Sequence, residues 1–104
     1  MARDEAAFDP LLLSQVRLGV VSILVTRKEA TFTDLRELLG LTQGNLGTHL
    51  GKLEDAGYIA VAKEFVRRKP RTTCRITARG RRAFLDHVRR LDAIAKEARG
   101  GSGR

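Results

Sequence analysis

Along this chain the spacing of apolar residues switches between helical and alternating periods, and the switches mark its elements. Asp9-Pro10 pairs a capping carboxylate with proline at the first helical position, so a helix is expected to start there. Advancing 100° per residue puts Leu12, Leu13, Val16, Val20, Ile23 and Leu24 on one face. Leu11, Leu18, Val21 and Val25 fall nearly opposite, mixed with Ser14 and Ser22. A helix apolar on two sides must be buried on both. One side suits the domain core; the other asks for a second element or a second subunit.

A short extended piece is expected around residues 30–32, then a brief helix over 33–39 with Thr33 as cap, Glu37 nearby and Gly40 as its end. Thr42 caps a further helix that runs to Ala56 and stops at Gly57. Two short helices joined by Gly40-Leu41 have helix-turn-helix spacing. Beyond Gly57 the pattern becomes that of a hairpin. Residues 58–66 carry Ile59, Val61, Phe65 and Val66, and residues 72–77 place Cys74 and Ile76 on one face. The tip, Arg67-Arg68-Lys69-Pro70-Arg71, is too polar to pack and too charged for a neutral turn. From Thr77 a last helix is expected to about Arg99. In it Phe84, Val88, Leu91, Ala95 and Ala98 step by coiled-coil spacing, and Leu85 and Ile94 widen the seam. The order predicts an α+β, mostly helical fold: a winged helix-turn-helix with a two-stranded wing and terminal dimerisation helices. The domain is expected over 9–99, between a flexible N-terminus at 1–8, from which Phe8 suits docking, and a flexible Gly-Gly-Ser-Gly-Arg tail at 100–104.

Composition narrows what such a fold can do. A chain of 104 residues carries one core and little more. Its formal charge is +8, and the excess is concentrated. Between Arg67 and Arg90 stand ten cations against one carboxylate, Asp86, and nine of the ten are arginine. The planar guanidinium fork suits bidentate contacts to phosphate and guanine. A solvated basic face is the plain alternative, but so lopsided a distribution is also the electrostatic footprint of a nucleic-acid binder. The single cysteine excludes a disulfide framework and a multi-cysteine zinc site. Asp86 and His87 are adjacent, yet two histidines and one cysteine at scattered positions form no recognisable ligand set. The strand position of Cys74 points to an inward, inert thiol rather than a redox switch. No nucleophile–base pairing, phosphate loop or paired carboxylate suggests an enzyme, and no cofactor or metal is expected. Residues 11–25 are too interrupted to span a bilayer, and Asp4, Glu5 and Asp9 are wrong for a signal peptide. The expected setting is the cytoplasm, at the nucleoid, without a membrane partner.

The helix over 42–56 gathers Leu46, His49, Leu50, Leu53 and Ala56 on one side. Its other side carries Gly44, Gly47, Thr48, Gly51 and Lys52, with Gln43 and Asn45 at the N-terminal end. Small and hydrogen-bonding residues suit a helix entering the ~12 Å major groove. Gln43 and Asn45 are placed to offer amides to base edges or phosphates, where the helix dipole also favours phosphate. The three glycines each cost about 0.5–1 kcal/mol against alanine. They imply either close approach to DNA or a helix whose specificity rests on backbone and shape contacts. Lys52 reads equally as a phosphate contact or as a surface partner of Asp55. His49, beside the apolar face, reads as a hydrogen-bonded, partly buried histidine. Tip residues Arg67, Arg68, Lys69 and Arg71 can reach a minor groove. Arg75 and Thr73, opposite Cys74 on the hairpin, point outward to phosphate. Some of Arg79, Arg81 and Arg82 also suit phosphate, whereas Arg89 and Arg90 read as solvated helix surface.

The stretch from Phe32 to Phe84 resembles winged-helix transcriptional regulators related to the MarR and ArsR types. The motifs are Leu-Gly-Leu-Thr at 39–42, Asn-Leu-x-x-His-Leu-x-x-Leu-Glu-x-x-Gly-Tyr-Ile at 45–59, and the arginine-rich wing. It is most similar to small stand-alone members whose wing ends in Arg-Thr-Thr-aromatic-Arg-Leu-Thr. The resemblance implies a homodimer, usually a repressor, joined through the first and last helices. That interface would draw on Leu11, Leu18, Val21, Val25, Phe84, Val88, Leu91, Ala95 and Ala98. It also implies DNA contacts at Gln43, Asn45, Gly47, Thr48, Gly51, Lys52, Arg68, Lys69 and Arg71. Relatives commonly carry Ser, Arg or Lys at the positions of Gly47 and Gly51, and an aromatic at Cys74. A small-molecule effector between dimer helices also occurs in this family, though no residue of the chain marks one.

The leading expectation is therefore a homodimer on a pseudo-palindromic double-stranded DNA operator, with half-sites ~10 bp apart. A nonspecific architectural DNA binder, suggested by the glycine-bare helix, and a winged-helix protein-interaction module are the alternatives.

Overall fold

The structure is a computed structural model, and it describes residues 8–100. The expected flexible ends, residues 1–7 and 101–104, lie outside the described residues. A 3₁₀ turn, Pro10–Leu13, is followed by α1 (Gln15–Arg27), β1 (Glu29–Thr31), α2 (Phe32–Leu39), α3 (Gln43–Asp55), β2 (Ile59–Val66), β3 (Lys69–Ile76) and α4 (Ala78–Ala98). This is the expected winged helix-turn-helix. The extended piece proves to be a third strand, giving an antiparallel sheet in the order β1-β3-β2.

The first helix departs from expectation. Ser14 is extended (φ −78°, ψ 127°) and splits it in two. Each half has its own cap. Asp9 Oδ1 accepts from the Leu11 amide at 3.0 Å, and Ser14 Oγ accepts from the Arg17 amide at 3.2 Å. Arg17 braces the junction, its Nε donating to the Leu11 carbonyl at 2.8 Å. The break rotates the leucines, so Leu12 is buried and Leu13, expected in the core, is 64% exposed.

The core gathers Leu12, Val20, Val21, Leu24, Leu35, Leu46, Leu53, Ile59 and Cys74. Val21 corrects an expectation: assigned to a dimer interface, it is fully buried within its own protomer. The reason is that α1 lies at the centre, touching α2, α3, α4, β1 and β3. Its second apolar side is covered by the chain itself. Leu18 and Val25 likewise pack, partly buried, against this core, as does Phe84 of α4.

The helix-turn-helix follows its stop signals. Gly40 takes φ +65°, its amide reaching the Glu37 carbonyl while Leu41 N–H reaches the Arg36 carbonyl, the paired bonds of a Schellman end. Gly57 at φ +80° closes α3 the same way, its amide reaching the Glu54 carbonyl while Tyr58 N–H reaches the Leu53 carbonyl. The α2 cap is Thr31 rather than Thr33: its Oγ1 accepts from the Asp34 amide at 3.0 Å. The same Thr31 pairs with Thr73 in the sheet. No described helix is long and apolar enough to cross a membrane.

Candidate nucleic-acid interface

Thr42 caps α3, accepting from the Asn45 amide at 3.1 Å. From there the buried leucines Leu46, Leu50 and Leu53 turn the helix inward and leave the opposite surface open. A Cβ built on Gly44, Gly47 or Gly51 would meet nothing within 4 Å. The glycines therefore serve no contact inside the described protomer. Thr48 spends its hydroxyl proton on the Gly44 carbonyl, 3.1 Å away.

The open surface of α3 has two strips. Gln43, Gly47, Gly51 and Glu54 line a groove of about 1150 Å³ shared with the hairpin. Gly44, Asn45, Thr48 and Lys52 are exposed beside it. Across the groove stand Val61, Lys63 and Val66 of β2, then Arg67, Lys69, Pro70 and Arg71. Thr31, Phe32, Thr33 and Asp34 close one end. Of the expected contact residues, Gln43, Gly47, Gly51, Arg67, Lys69 and Arg71 thus border one concavity, whereas Arg68 lies outside its lining. Lys63 and the carboxylates of Asp34 and Glu54 also border it, which sequence reading missed. The only signal for Glu54 and Lys63 was helical phase from Gly47 and strand phase from Val61, and Asp34, on α2, had none.

The wing tip is tighter than expected. Val66 pairs with Lys69, leaving Arg67 and Arg68 as the entire turn. Lys69, Pro70 and Arg71 belong to β3, opposite Val66, Phe65 and Glu64. Both turn residues are left-handed, at φ +55° and +67°. Such a turn is normally made by Asn and Gly, and each non-glycine residue held there costs about 1 kcal/mol. Pro70 fits because alternate β3 amides point away from β2. The Ile76 amide does so to reach the Lys28 carbonyl. At Pro70, in the same phase, β1 is already absent, so no ladder bond is lost.

Arg75 departs from this set. It borders a separate depression with Arg27, Lys28 and Arg81, and its Nη2 donates to Glu29 Oε1 at 2.6 Å. Arg89 pairs with Asp86 on α4.

His49 is held as the sequence implied. Its Nδ1 lies 3.0 Å from Arg17 Nη1, and accepts when neutral. Burial, then the Arg17 and Lys52 charges, lower its pKa from 6.5. Tyr58 donates to Asp9, and burial with that carboxylate pushes the phenol up to about 12. Burial, aided by Glu54, pushes the Cys74 thiol up to about 11, which keeps it protonated and inert. Among the described residues no three His, Cys, Asp or Glu side chains group as a metal site.

Outside the groove, α4 presents Leu85, Val88, Leu91 and Ile94 as an exposed apolar stripe. Val88, Leu91 and Ala98 of the expected seam are exposed, and Ala95 is half-buried. Leu11 is half-buried.

Comparison with known proteins agrees with this geometry. The sequence profile of the winged helix DNA-binding domain matches residues 16–95. An uncharacterised protein of Methanocaldococcus jannaschii is 34% identical over 83 residues, covering 80% of this chain and 90% of that one. The solved structure of a transcriptional regulator homologue from Pyrococcus horikoshii superposes with a TM-score of 0.84 at 32% identity, over 91% of this chain and 94% of the other. The transcriptional regulator BldR of Sulfolobus solfataricus superposes at 0.68 with 19% identity, over 82% and 60% of the two chains, a likeness of fold. The family is that of a DNA-binding domain, and the two solved structures are those of a transcriptional regulator homologue and a transcriptional regulator. The chain therefore belongs to the winged helix DNA-binding domain family and has the fold of a winged-helix transcriptional regulator.

Proposed function

We propose that this protein is a transcriptional repressor that binds a pseudo-palindromic operator as a homodimer. In this reading α3 enters the major groove, with Gln43, Asn45, Thr48 and Lys52 at base edges and phosphates. Gly44, Gly47 and Gly51 admit the DNA closely. Arg67, Arg68, Lys69 and Arg71 enter the adjacent minor groove, where narrow A·T-rich segments attract arginine. The observation that carries the reading is the shared groove: Gly47 and Gly51 of α3 and Arg67, Lys69 and Arg71 of the wing border one concavity. The exposed stripe of α4 supplies the second half of the argument. Four large apolar residues at helical spacing favour a partner helix, and a second copy of α4 is the symmetric choice.

Selection of duplexes from a random pool, with the protein's mass in solution measured alongside, tests both halves. A symmetric motif with half-sites ~10 bp apart and a two-chain mass are expected. Enrichment of no motif, at a specificity ratio near one, would favour an architectural binder, which the glycine-bare α3 also suits. Arg68→Ala with Arg71→Ala should weaken binding and lower the salt slope by about 2.

A further inference from the structure

Phe65, a residue of the expected hairpin strand, is 77% exposed, more than any other large apolar side chain described. It stands immediately before Val66 and the arginine turn, and its cross-strand neighbour is Pro70. The register puts both on the hairpin face that carries Val61 and Cys74, two pairs closer to the tip than Lys63 and Thr72. Val61 and Pro70 on that face border the groove shared with α3, as do Val66 and Lys69 of the other face, and Phe65 stands outside its lining. A large ring and a proline thus project together, with Arg67, Arg68 and Lys69 flanking them.

We propose that Phe65, backed by Pro70, is an apolar wedge that enters the minor groove and opens a base step. This rests on the DNA-binding reading above and adds a source of specificity to it. The arginines flank the wedge in the same minor groove, and the ring replaces base–base stacking at the opened step. Proteins that insert such wedges kink the duplex by about 20–90° toward the major groove. Pyrimidine–purine steps open most readily, so the wedge selects TA or CA/TG at the wing position without reading a base edge. The device answers a deficit elsewhere. With Gly44, Gly47 and Gly51 on its open side, α3 has few side chains to read bases. Discrimination by deformability makes up part of that shortfall.

The test uses the full chain and duplexes enriched by it from a random pool, with 2-aminopurine at each pyrimidine–purine step beneath the wing. Bend angle is measured by end-to-end energy transfer. The intact protein should bend the duplex by tens of degrees and brighten one 2-aminopurine in each half-site. Phe65→Ala, at an exposed position that leaves folding intact by circular dichroism, should still bind with an unchanged salt slope. It should lose the bend, the brightening and the preference for a flexible step, and Phe65→Leu should restore part of each. Binding by the intact protein to an unbent duplex overturns the wedge alone. An Ala variant that bends as fully as the intact chain does the same. Absence of binding to any duplex at low salt overturns the DNA-binding reading, and the wedge with it.

Discussion

A Cβ on Gly80 would lie 2.1 Å from the carbonyl oxygen of Tyr58. The first turn of α4 therefore rests directly on the backbone where α3 gives way to β2. Thr77 completes the joint, its Oγ1 lying 2.7 and 2.9 Å from the Gly57 and Tyr58 carbonyls and accepting from the Gly80 amide at 3.0 Å. Gly80→Ala has no flexible atom to push aside. It should destabilise the fold by about 3 kcal/mol, as overpacking against backbone does, seen as a lower denaturant midpoint.

The glycines of α3 should behave in the opposite way. Gly47→Ala and Gly51→Ala meet open space, so each should stabilise the protein by about 0.5–1 kcal/mol. Gel-shift titration should nevertheless show weaker DNA binding for both. Gain of stability with unchanged affinity would mean that the helix backbone does not approach the duplex.

The arginine turn should show a similar exchange of stability for contact. Replacing Arg67 with Asn and Arg68 with Gly suits the left-handed turn and should stabilise the chain by about 1–2 kcal/mol. The slope of log affinity against log salt should fall by about 2, one phosphate contact per lost charge.

His49 makes stability depend on pH. Its folded pKa is lowered from 6.5 by burial, Arg17 and Lys52, so the unfolded chain takes up the proton first on acidification. The stability it contributes is full above pH 6.5 and is lost as pH falls from 6.5 through the lowered folded value. Denaturant melts at pH 7.5 and 5.5 should give a smaller difference for His49→Asn than for the native chain.

The α4 stripe has its own test. Leu91→Glu removes apolar surface from the middle of Leu85, Val88, Leu91 and Ile94 without touching the protomer core. Sedimentation should report a shift toward the single-chain mass, with circular dichroism unchanged.

The helix-turn-helix was legible because its punctuation is local. Thr42, Gly40 and Gly57 each act through bonds to residues within five positions, so the letters carry the conformation. What escaped reading depends on distant partners. Ser14 becomes a break because Arg17 and Tyr58 hold the turn before it. Val21 is interior because α4 and the sheet return over α1. Thr31 displaces Thr33 as cap because pairing with Thr73 holds the strand up to that residue. Alternation marks Phe65 as a strand residue but not how exposed it is, because the core ends before the hairpin does. The groove was legible in part: its glycines and arginines stood out by composition, whereas Lys63, Asp34 and Glu54 entered through three-dimensional phase.

Thr31 belongs at once to the sheet that carries the wing and to the first turn of α2, which leads through Gly40 into α3. On this side the offset between α3 and the sheet that carries the wing is thus held by a residue count, from Thr31 to Thr42. A single inserted or deleted residue within that count turns α3 by a fraction of a helical revolution and puts its glycine side out of step with the wing. The protein should tolerate many new letters on this ruler and almost no change in its length.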